Sequence, residues 1–169
     1  MEKWWNERYK QEGFIWHKNP SKCIETGLDY LKEHNVSTIL DLPCGYGRDS
    51  NFLSKQGFEV TGIDRSKEAI KIAQNWANQD GIQIKFEVGD ATNLPYPDNS
   101  FDAIVSNRFL HLVYDDNQQK KVISEIKRVL KDDGLVILST RSLKDPDCHH
   151  NNKIEEKKNK ENHSSHGRA

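Results

Sequence analysis

Short apolar runs alternate with segments of helical periodicity between residues 38 and 140, and this alternation constrains the fold more than any other feature. Strands of a parallel sheet that is covered on both faces are typically short and continuously apolar, and a crossover helix joins each strand to the next. The pattern therefore predicts an α/β fold with a doubly wound parallel sheet. The predicted strands span 38–42, 58–63, 83–88, 101–106 and 135–140.

Helix boundaries between these strands are predicted from capping residues. Asn19 followed by Pro20 is typical of a helix start, because a polar side chain caps the helix and proline suits its first turn. Ser66 is expected to cap the helix after the second strand, and an aspartate at 115 or 116 opens the helix before the fifth. Gly134 is expected to end that last helix.

The composition excludes several classes of protein. The chain has 25 Lys and Arg residues against 26 Asp and Glu, which excludes nucleic-acid binding by phosphate neutralisation alone. No apolar run approaches the roughly 18 residues of a membrane-spanning helix, and the N-terminus lacks the apolar stretch of a signal peptide. An odd count of 3 cysteines favours a reducing compartment. We therefore expect a cytoplasmic protein with neither a nucleic-acid nor a membrane partner.

Residues 143–169 differ from the rest of the chain in having very few apolar side chains. Such a segment cannot offset its ordering entropy by burial, so a disordered polar tail is predicted there, with one folded domain over residues 1–142. Four of the seven histidines lie in this segment beside Cys148. Their spacing matches no metal-ligand pattern, so no metal site is expected.

Acidic residues close three successive predicted strands. Asp41, Asp64 and Asp90 follow the first, second and third strands, and ligands of doubly wound sheets bind at these carboxyl ends. Gly45 and Gly47 follow Asp41 and allow a tight turn in which a ligand approaches the backbone. Each residue alone is also compatible with an ordinary turn or cap, but the three acids together indicate a binding site.

The charge of this edge distinguishes between nucleotide-like ligands. A dinucleotide site normally has a third glycine three residues after the second, where this chain has Ser50. Asp41 would repel a pyrophosphate, by about 4 kcal/mol at ~4 Å with an effective dielectric of 20. S-adenosylmethionine, which carries an ammonium and a sulfonium, suits this charge. Asp64 can accept hydrogen bonds from the ribose hydroxyls of either ligand. Asp90 can accept one from an adenine amine, and the Ala91 N–H can donate one to a ring nitrogen.

The ordered motifs of the chain resemble those of class I S-adenosylmethionine-dependent methyltransferases over about residues 35–140. The resemblance implies a Rossmann-like fold with strand order 3-2-1-4-5 and S-adenosylmethionine as cofactor. Pro43 departs from the family, which most often has glycine at this position. The motifs lie at 39–48, 60–64, 89–95, 100–105 and 129–135. The residues expected to bind the cofactor are Asp41, Pro43, Cys44, Gly45, Tyr46, Gly47, Asp64, Arg65, Asp90, Ala91, Asn107 and Trp16.

The N-terminal residues 5–9, 13–16 and 20–21 resemble the opening helix and loop of thiopurine- and tellurite-resistance-type small-molecule methyltransferases. The resemblance implies that this segment covers cofactor and substrate, where aromatic rings attract a sulfonium. The alternative is that Trp4, Trp5 and Tyr9 simply pack an amphipathic helix onto the domain. Trp16 is the better candidate for a site residue because its loop is not periodic.

Methyl transfer is an in-line displacement for which a protein mainly supplies proximity and orientation. The loop after the fourth strand, which contains Asn107 and His111, is expected to face the methyl group. Asn107 is expected to contact the cofactor through its backbone or its amide. His111 is the one plausible general base, although it can equally orient the loop, and a thiolate or chalcogenide acceptor needs no base.

The acceptor is predicted to be a small molecule, namely a thiol, chalcogenide, amine or hydroxyl compound. The loop lacks the Asn/Asp-Pro-Pro-aromatic motif of methyltransferases that act on nucleic-acid bases or on protein glutamine.

The family fold has two further strands after the fifth, which form a C-terminal hairpin. We expect this hairpin to be missing here, so the fifth strand is left as an edge that can form a homodimer. The alternatives are a catalytically weak cofactor-binding fragment or subunit and, less favoured, an NAD-dependent oxidoreductase.

Overall fold

A computed structural model describes residues 2–142 of the chain. The predicted disordered tail, the histidines within it and Cys148 lie outside the described residues. Contacts divide the chain into one compact unit that ends at Ser139 and a second that begins at Thr140. Of the second unit, the structure describes only residues 140–142.

The sheet has five strands, namely β1 (Thr38–Asp41), β2 (Glu59–Asp64), β3 (Lys85–Val88), β4 (Phe101–Asn107) and β5 (Leu130–Ser139). All are parallel and lie in the order β3-β2-β1-β4-β5. This arrangement confirms the predicted doubly wound sheet and its strand order. Within β1, Asp41 pairs with Gly62 on one side and Val105 on the other, so β1 is the central strand.

Five α-helices accompany the sheet in the described part of the chain. Two of the predicted caps are confirmed. The Ser66 hydroxyl accepts a 3.2 Å hydrogen bond from the Ala69 N–H, and the Asp115 carboxylate accepts one of 2.8 Å from the Gln118 N–H. The helices are α1 (Glu2–Glu12), α2 (Lys22–Glu33), α3 (Arg48–Lys55), α4 (Lys67–Gln79) and α5 (Asp116–Val129), with a 3₁₀ turn at Leu110–Leu112.

Two predicted helix boundaries were wrong. Helix α2 begins at Lys22 with Ser21 as its N-cap, rather than at Asn19. The reason is that the Ser21 N–H and hydroxyl both bind a carboxylate on α3, which holds Ser21 in an extended conformation.

At the other end of the sheet, Gly134 does not end α5. Helix α5 ends at Val129, and β5 already begins at Leu130, which pairs with Phe101 of β4. The register shifts between Phe101 and Ala103, so the extra residues of β5 around Gly134 are accommodated by an irregularity of the ladder.

The apolar core lies on both faces of the sheet. Alternate strand residues contact different helices, because successive side chains of a strand point to opposite faces. On one face, Ile24 and Leu31 of α2 and Leu53 of α3 pack against Ile39 and Val105. On the other face, side chains of α5 pack against β1, β2 and β4; this cluster includes Val122, Ile126, Val129, Leu40, Ile63 and Ile104.

Asp102 joins the amino ends of β1 and β4. Its carboxylate accepts hydrogen bonds from the Ser37 N–H at 3.0 Å and from the Thr38 N–H and hydroxyl at 2.8 and 2.9 Å. The Lys131 ammonium lies 2.7 Å from its other oxygen. The Lys131 hydrogen bond, followed by those of Thr38 and Ser37, holds the pKa of Asp102 well below its usual range.

We predict that Asp102→Asn lowers the free energy of unfolding by about 1–2 kcal/mol at pH 7, since it weakens charge-assisted hydrogen bonds. A carboxyl whose pKa is lower in the folded state stabilises the fold above its unfolded pKa, near 3.9. The difference from the wild type should therefore shrink as the pH falls below about 4. Urea unfolding at several pH values measures this. Asp132→Asn, at an exposed residue of β5, is the control, and a pH-independent difference would contradict the prediction.

Candidate functional site

Asp41 forms the buried base of the loop that follows β1. It is only 2% exposed, and one carboxylate oxygen accepts a 2.5 Å hydrogen bond from the Ser50 hydroxyl. Burial, and then the nearby charge of Asp49, raise the pKa of Asp41 well above its usual range. Ser50 occupies the position of the third glycine in dinucleotide loops, and its fully buried side chain is engaged by Asp41.

Gly45 and Gly47 adopt the left-handed conformation that the predicted tight turn requires. Their φ angles are +55° and +81°, a region that residues with a Cβ rarely adopt. A Cβ on Gly47 would lie 2.9 Å from the Phe86 ring, and one on Gly45 would lie 2.9 Å from the Tyr9 hydroxyl. The turn brings the backbone of this loop to the carboxyl edge of the sheet, where Pro43 lies half-buried.

Asp64 connects the loops that follow β1 and β2. One carboxylate oxygen accepts a 2.9 Å hydrogen bond from the Gly45 N–H, and the other accepts one of 2.8 Å from the Ser66 N–H. Burial raises the pKa of Asp64, although these hydrogen bonds act in the opposite direction. Each oxygen has a further lone pair, so the carboxylate can also accept hydrogen bonds from a ligand.

Cys44 and Tyr46 alternate with the two glycines and face inward. Burial raises the pKa of the Cys44 thiol well above its usual range, which makes it a poor nucleophile. The Cys44 N–H donates to the Ile63 carbonyl at 3.0 Å, so the loop is also attached to β2 through its backbone.

Asp90 closes β3 and makes an ion pair at the same edge. One oxygen accepts from the Thr92 N–H and hydroxyl at 2.9 Å, and the other lies 2.5 Å from the Arg65 guanidinium. Burial tends to raise the pKa of Asp90, but these hydrogen bonds hold it below its usual range. Arg65 is exposed and Ala91 is half-buried.

The Asn107 side chain lies at the end of β4, and its amide is bound within the protein. Its Oδ1 accepts from the Ser139 hydroxyl and, at 3.5 Å, from the Cys23 thiol. Its Nδ2 donates to a carboxylate oxygen of Asp49 at 3.3 Å. Both acceptor positions of Oδ1 are therefore occupied, and one N–H of Nδ2 is used by Asp49, so the second N–H and the backbone of Asn107 are what a ligand can contact. His111 lies half-buried in the 3₁₀ turn that follows.

We call α1 and residues 13–21 the N-terminal cover. The cover contacts both loops of the site. The Asn6 side-chain oxygen accepts from the Ser66 hydroxyl at 2.8 Å and from the Glu68 N–H at 3.3 Å. The Tyr46 hydroxyl donates to the His17 carbonyl at 2.6 Å and accepts from the Trp16 N–H at 3.1 Å. These hydrogen bonds hold the cover against the carboxyl edge of the sheet.

Aromatic rings of the cover divide into buried and exposed members. Tyr9 is buried beside Tyr46, with 6.2 Å between ring centroids. Trp16 stacks on the outer side of Tyr46 at 6.4 Å and is 37% exposed, so it lies at the rim of the site. Tyr9 therefore packs the helix onto the domain and also places its hydroxyl above Gly45.

The sequence analysis assigns no individual role to three polar residues of the candidate site, namely Asn6, Ser21 and Asp49. Asp49 accepts hydrogen bonds from Ser21 at 2.6 and 2.8 Å and from Asn107. A signal for Asp49 was present, because an acidic residue directly after a glycine turn opens a helix and faces the strand ends. For Asn6 the sequence offers no comparable signal, since its partners are about 60 residues away.

Residues 2–142 contain no group of three or more His, Cys, Asp or Glu side chains arranged to hold a metal ion. In the same residues, no helix has both the length and the apolar character needed to cross a membrane.

Comparisons with known proteins support one family. A family profile described as a methyltransferase domain matches residues 39–134, more than half of the chain. The chain is 31% identical over 142 residues to a glycine/sarcosine N-methyltransferase of Aphanothece halophytica, covering 78% of this chain and 53% of that protein. It is 36% identical over 107 residues to the uncharacterized methyltransferase YcgJ of Bacillus subtilis, covering 63% and 40%. The chain thus spans about half or less of these relatives.

Solved structures agree with the fold. The PH0226 protein of Pyrococcus horikoshii matches 76% of this chain and 62% of its own, with a TM-score of 0.64 and 31% identity. An S-adenosylmethionine-dependent methyltransferase of Clostridium acetobutylicum matches 77% and 53%, with a TM-score of 0.64 and 22% identity, which shows the fold alone. Profile, relatives and strand order together show that the chain belongs to the class I S-adenosylmethionine-dependent methyltransferases, whose cofactor is S-adenosylmethionine.

Proposed function

We propose that the chain catalyses methyl transfer to a small molecule with a thiol, chalcogenide, amine or hydroxyl group. The observation that carries the proposal is the convergence of Asp41, Asp64 and Asp90 with the glycine loop at one edge of the sheet. When bound, S-adenosylmethionine supplies a methyl carbon activated by its sulfonium. The role of the chain is then to bind, orient and exclude water.

The charge of the site supports this cofactor over a dinucleotide. Asp41 and Asp49 are both buried, and the side chains that hydrogen-bond to them within the described residues, Ser50, Ser21 and Asn107, are all neutral. Held only by neutral donors, these carboxyl groups favour an ammonium or sulfonium, because a cation beside Asp41 lowers the pKa that burial has raised, and they disfavour a pyrophosphate. The NAD-dependent alternative is therefore the weaker one.

Asp64 is proposed to bind the ribose hydroxyls of the cofactor. Asp90 and Ala91 are proposed to bind its adenine. Asp64 is already oriented by Gly45 and Ser66, so binding costs it little conformational freedom. Trp16 is proposed to cover the outer side of the cofactor. The backbone of Gly45–Gly47 is proposed to contact its amino-acid end.

The acceptor is proposed to bind between the N-terminal cover and the loop around His111. Two relatives are named for amine acceptors, glycine/sarcosine N-methyltransferase and ajmaline N-methyltransferase of Rauvolfia serpentina. An amine or hydroxyl acceptor has a proton to lose, and His111 is the proposed base for it.

A second candidate function is cofactor binding with weak catalysis, as a fragment or as a subunit that completes its sheet on a partner. It is favoured by one observation: β5 is the last strand on its side of the sheet within the described residues.

For either function we propose a cytoplasmic location, because the described cysteines, Cys23 and Cys44, are both free thiols.

We predict that the full chain binds S-adenosylhomocysteine and that Asp64→Ala weakens this binding about 5- to 150-fold, the effect of ~1–3 kcal/mol from lost charged hydrogen bonds. Asp64→Asn, which retains one acceptor oxygen, should have a smaller effect. Isothermal titration calorimetry measures both, with Asp132→Asn as the control. Binding of NAD in place of S-adenosylhomocysteine would show that the cofactor assignment is wrong.

We predict that His111→Gln separates acceptors by their need for a base. Turnover of labelled S-adenosylmethionine with protonated amines should fall about 100-fold or more, while turnover with thiols stays within a few-fold of the wild type. A panel of thiols, selenols and small amines tests this at fixed pH. Equal losses with every acceptor would indicate that His111 orients the loop and is not a base.

We further propose a homodimer formed by pairing of two β5 edges. Val136 and Leu138 of β5 are 43% and 45% exposed, and an edge strand with apolar side chains readily pairs with another. Sedimentation equilibrium should show a concentration-dependent dimer that the double substitution Val136→Lys/Leu138→Lys abolishes. The control is Val88→Lys, at a similarly exposed residue of the opposite edge strand β3. A monomer at all micromolar concentrations would refute the dimer.

A further inference from the structure

Asp49 lies in the first turn of α3, two residues after the left-handed Gly47 that caps the helix. It is 4% exposed and so is almost completely removed from solvent. A carboxylate at this position benefits from the N–H groups of the first helical turn. A buried carboxylate still requires hydrogen-bond donors, and their identity shows what this residue does.

The donors come from two separate parts of the molecule. One oxygen of Asp49 accepts from the Ser21 N–H at 2.6 Å. The other accepts from the Ser21 hydroxyl at 2.8 Å and from Nδ2 of Asn107 at 3.3 Å. Ser21 is the last residue of the N-terminal cover, whereas Asn107 is the last residue of β4. One carboxylate therefore joins the cover to the loop that is proposed to face the methyl group.

The Asn107 amide has a single orientation that satisfies this arrangement. Its Nδ2 must point at Asp49, because its Oδ1 accepts from Ser139 and Cys23 on the other side. If the amide were turned over, Nδ2 would face the Ser139 hydroxyl and the Cys23 thiol. Oδ1 would then face a carboxylate oxygen of Asp49, so two acceptors would oppose each other. Asp49 thus fixes Asn107, and through it the start of the 108–113 loop.

We propose that Asp49 is a positioning residue that couples closure of the N-terminal cover to the placement of the methyl-acceptor loop. The proposal deepens the proposed function and rests on it. Asp49 acts through Ser21 and Asn107. Through the Asp49 carboxylate, the cover and the 108–113 loop form one hydrogen-bonded unit. An acceptor is therefore aligned with the methyl group only when the cover is closed.

The test exchanges donor and acceptor without changing shape. In Asp49→Asn, the single amide oxygen can accept from the Ser21 N–H or from Nδ2 of Asn107 but not from both, because these donors bind different oxygens of Asp49. Two donors therefore oppose each other at one of the two contacts, and the cover is held less tightly. In the double substitution Asp49→Asn/Asn107→Asp, the same two atoms form a hydrogen bond in the reverse direction. The amide oxygen introduced at position 49 can still accept from the Ser21 N–H, and the Ser21 hydroxyl can accept as well as donate. The double substitution should therefore repair what Asp49→Asn breaks.

Two readouts on the full chain separate positioning from general stability. Hydrogen exchange of the Ser21 amide should accelerate at least ~10-fold in Asp49→Asn. The kcat/KM for the acceptor should fall about 10- to 100-fold through poorer alignment, a loss several-fold larger than that of S-adenosylhomocysteine affinity, on which Asp49 acts through its charge. In the double substitution both quantities should return to within about threefold of the wild type. Asp132→Asn serves as the matched control.

Unchanged exchange at Ser21 and unchanged kcat/KM in Asp49→Asn would overturn the proposal. Equal losses of kcat/KM, cofactor affinity and melting temperature that the double substitution does not restore would overturn it as well. If Asp49→Asn does not fold, Ser21→Ala removes one of the three donors and should lower kcat/KM a few-fold with a fall in melting temperature small enough to leave the chain folded. No change in kcat/KM would count against the proposal. If the wild type fails to bind S-adenosylhomocysteine, the proposed function is wrong, whereas the Ser21 exchange data still test the Asp49 contacts.

Discussion

The pairing of β1 with both β2 and β4 is the constraint on which the candidate site depends. Because these strands are parallel, the residues that end them lie side by side at one edge. Asp41 pairs with Gly62 and Val105, which brings Asp64 and Asn107, each two residues further on, to either side of the glycine loop. A register error of one residue would turn these side chains to the opposite face.

Burial of carboxylates is the main energetic cost of this arrangement, and hydrogen bonds from neutral groups partly offset it. Asp64 receives two backbone N–H groups, Asp41 a hydroxyl, and Asp49 an N–H, a hydroxyl and an amide. None of these donors carries a charge. Burial also raises the pKa values of Asp41 and Asp64, since it disfavours their charged forms. A cationic ligand beside these carboxyl groups lowers the pKa values again, so the edge of the sheet favours a cationic ligand.

The sheet and its acidic edge could be predicted from the sequence because they leave periodic signals. Apolar runs marked the strands, and the motif order gave their arrangement. The predicted end of α5 at Gly134 was wrong, because an irregularity in the ladder between β4 and β5 lets β5 start at Leu130. No local residue pattern indicates such an irregularity. The links from Asn6 to Ser66 and from Ser21 to Asp49 join residues 60 and 28 positions apart, so only the folded structure reveals them.

The N-terminal cover is held by different forces from those that hold the sheet. The sheet buries aliphatic side chains on both faces, whereas the cover relies on hydrogen bonds, stacked rings and cations over aromatic rings. The Arg8 guanidinium lies 5.3–5.8 Å from the ring centres of Trp4, Trp5 and Trp16, contacts worth about 0.5–1 kcal/mol each at exposed sites. The family profile begins at residue 39 and leaves out both the cover and α2. Under the proposed function, the cover and its contacts with the strand ends are therefore the described parts in which to seek residues that select the acceptor, because the matched region supplies what the family shares.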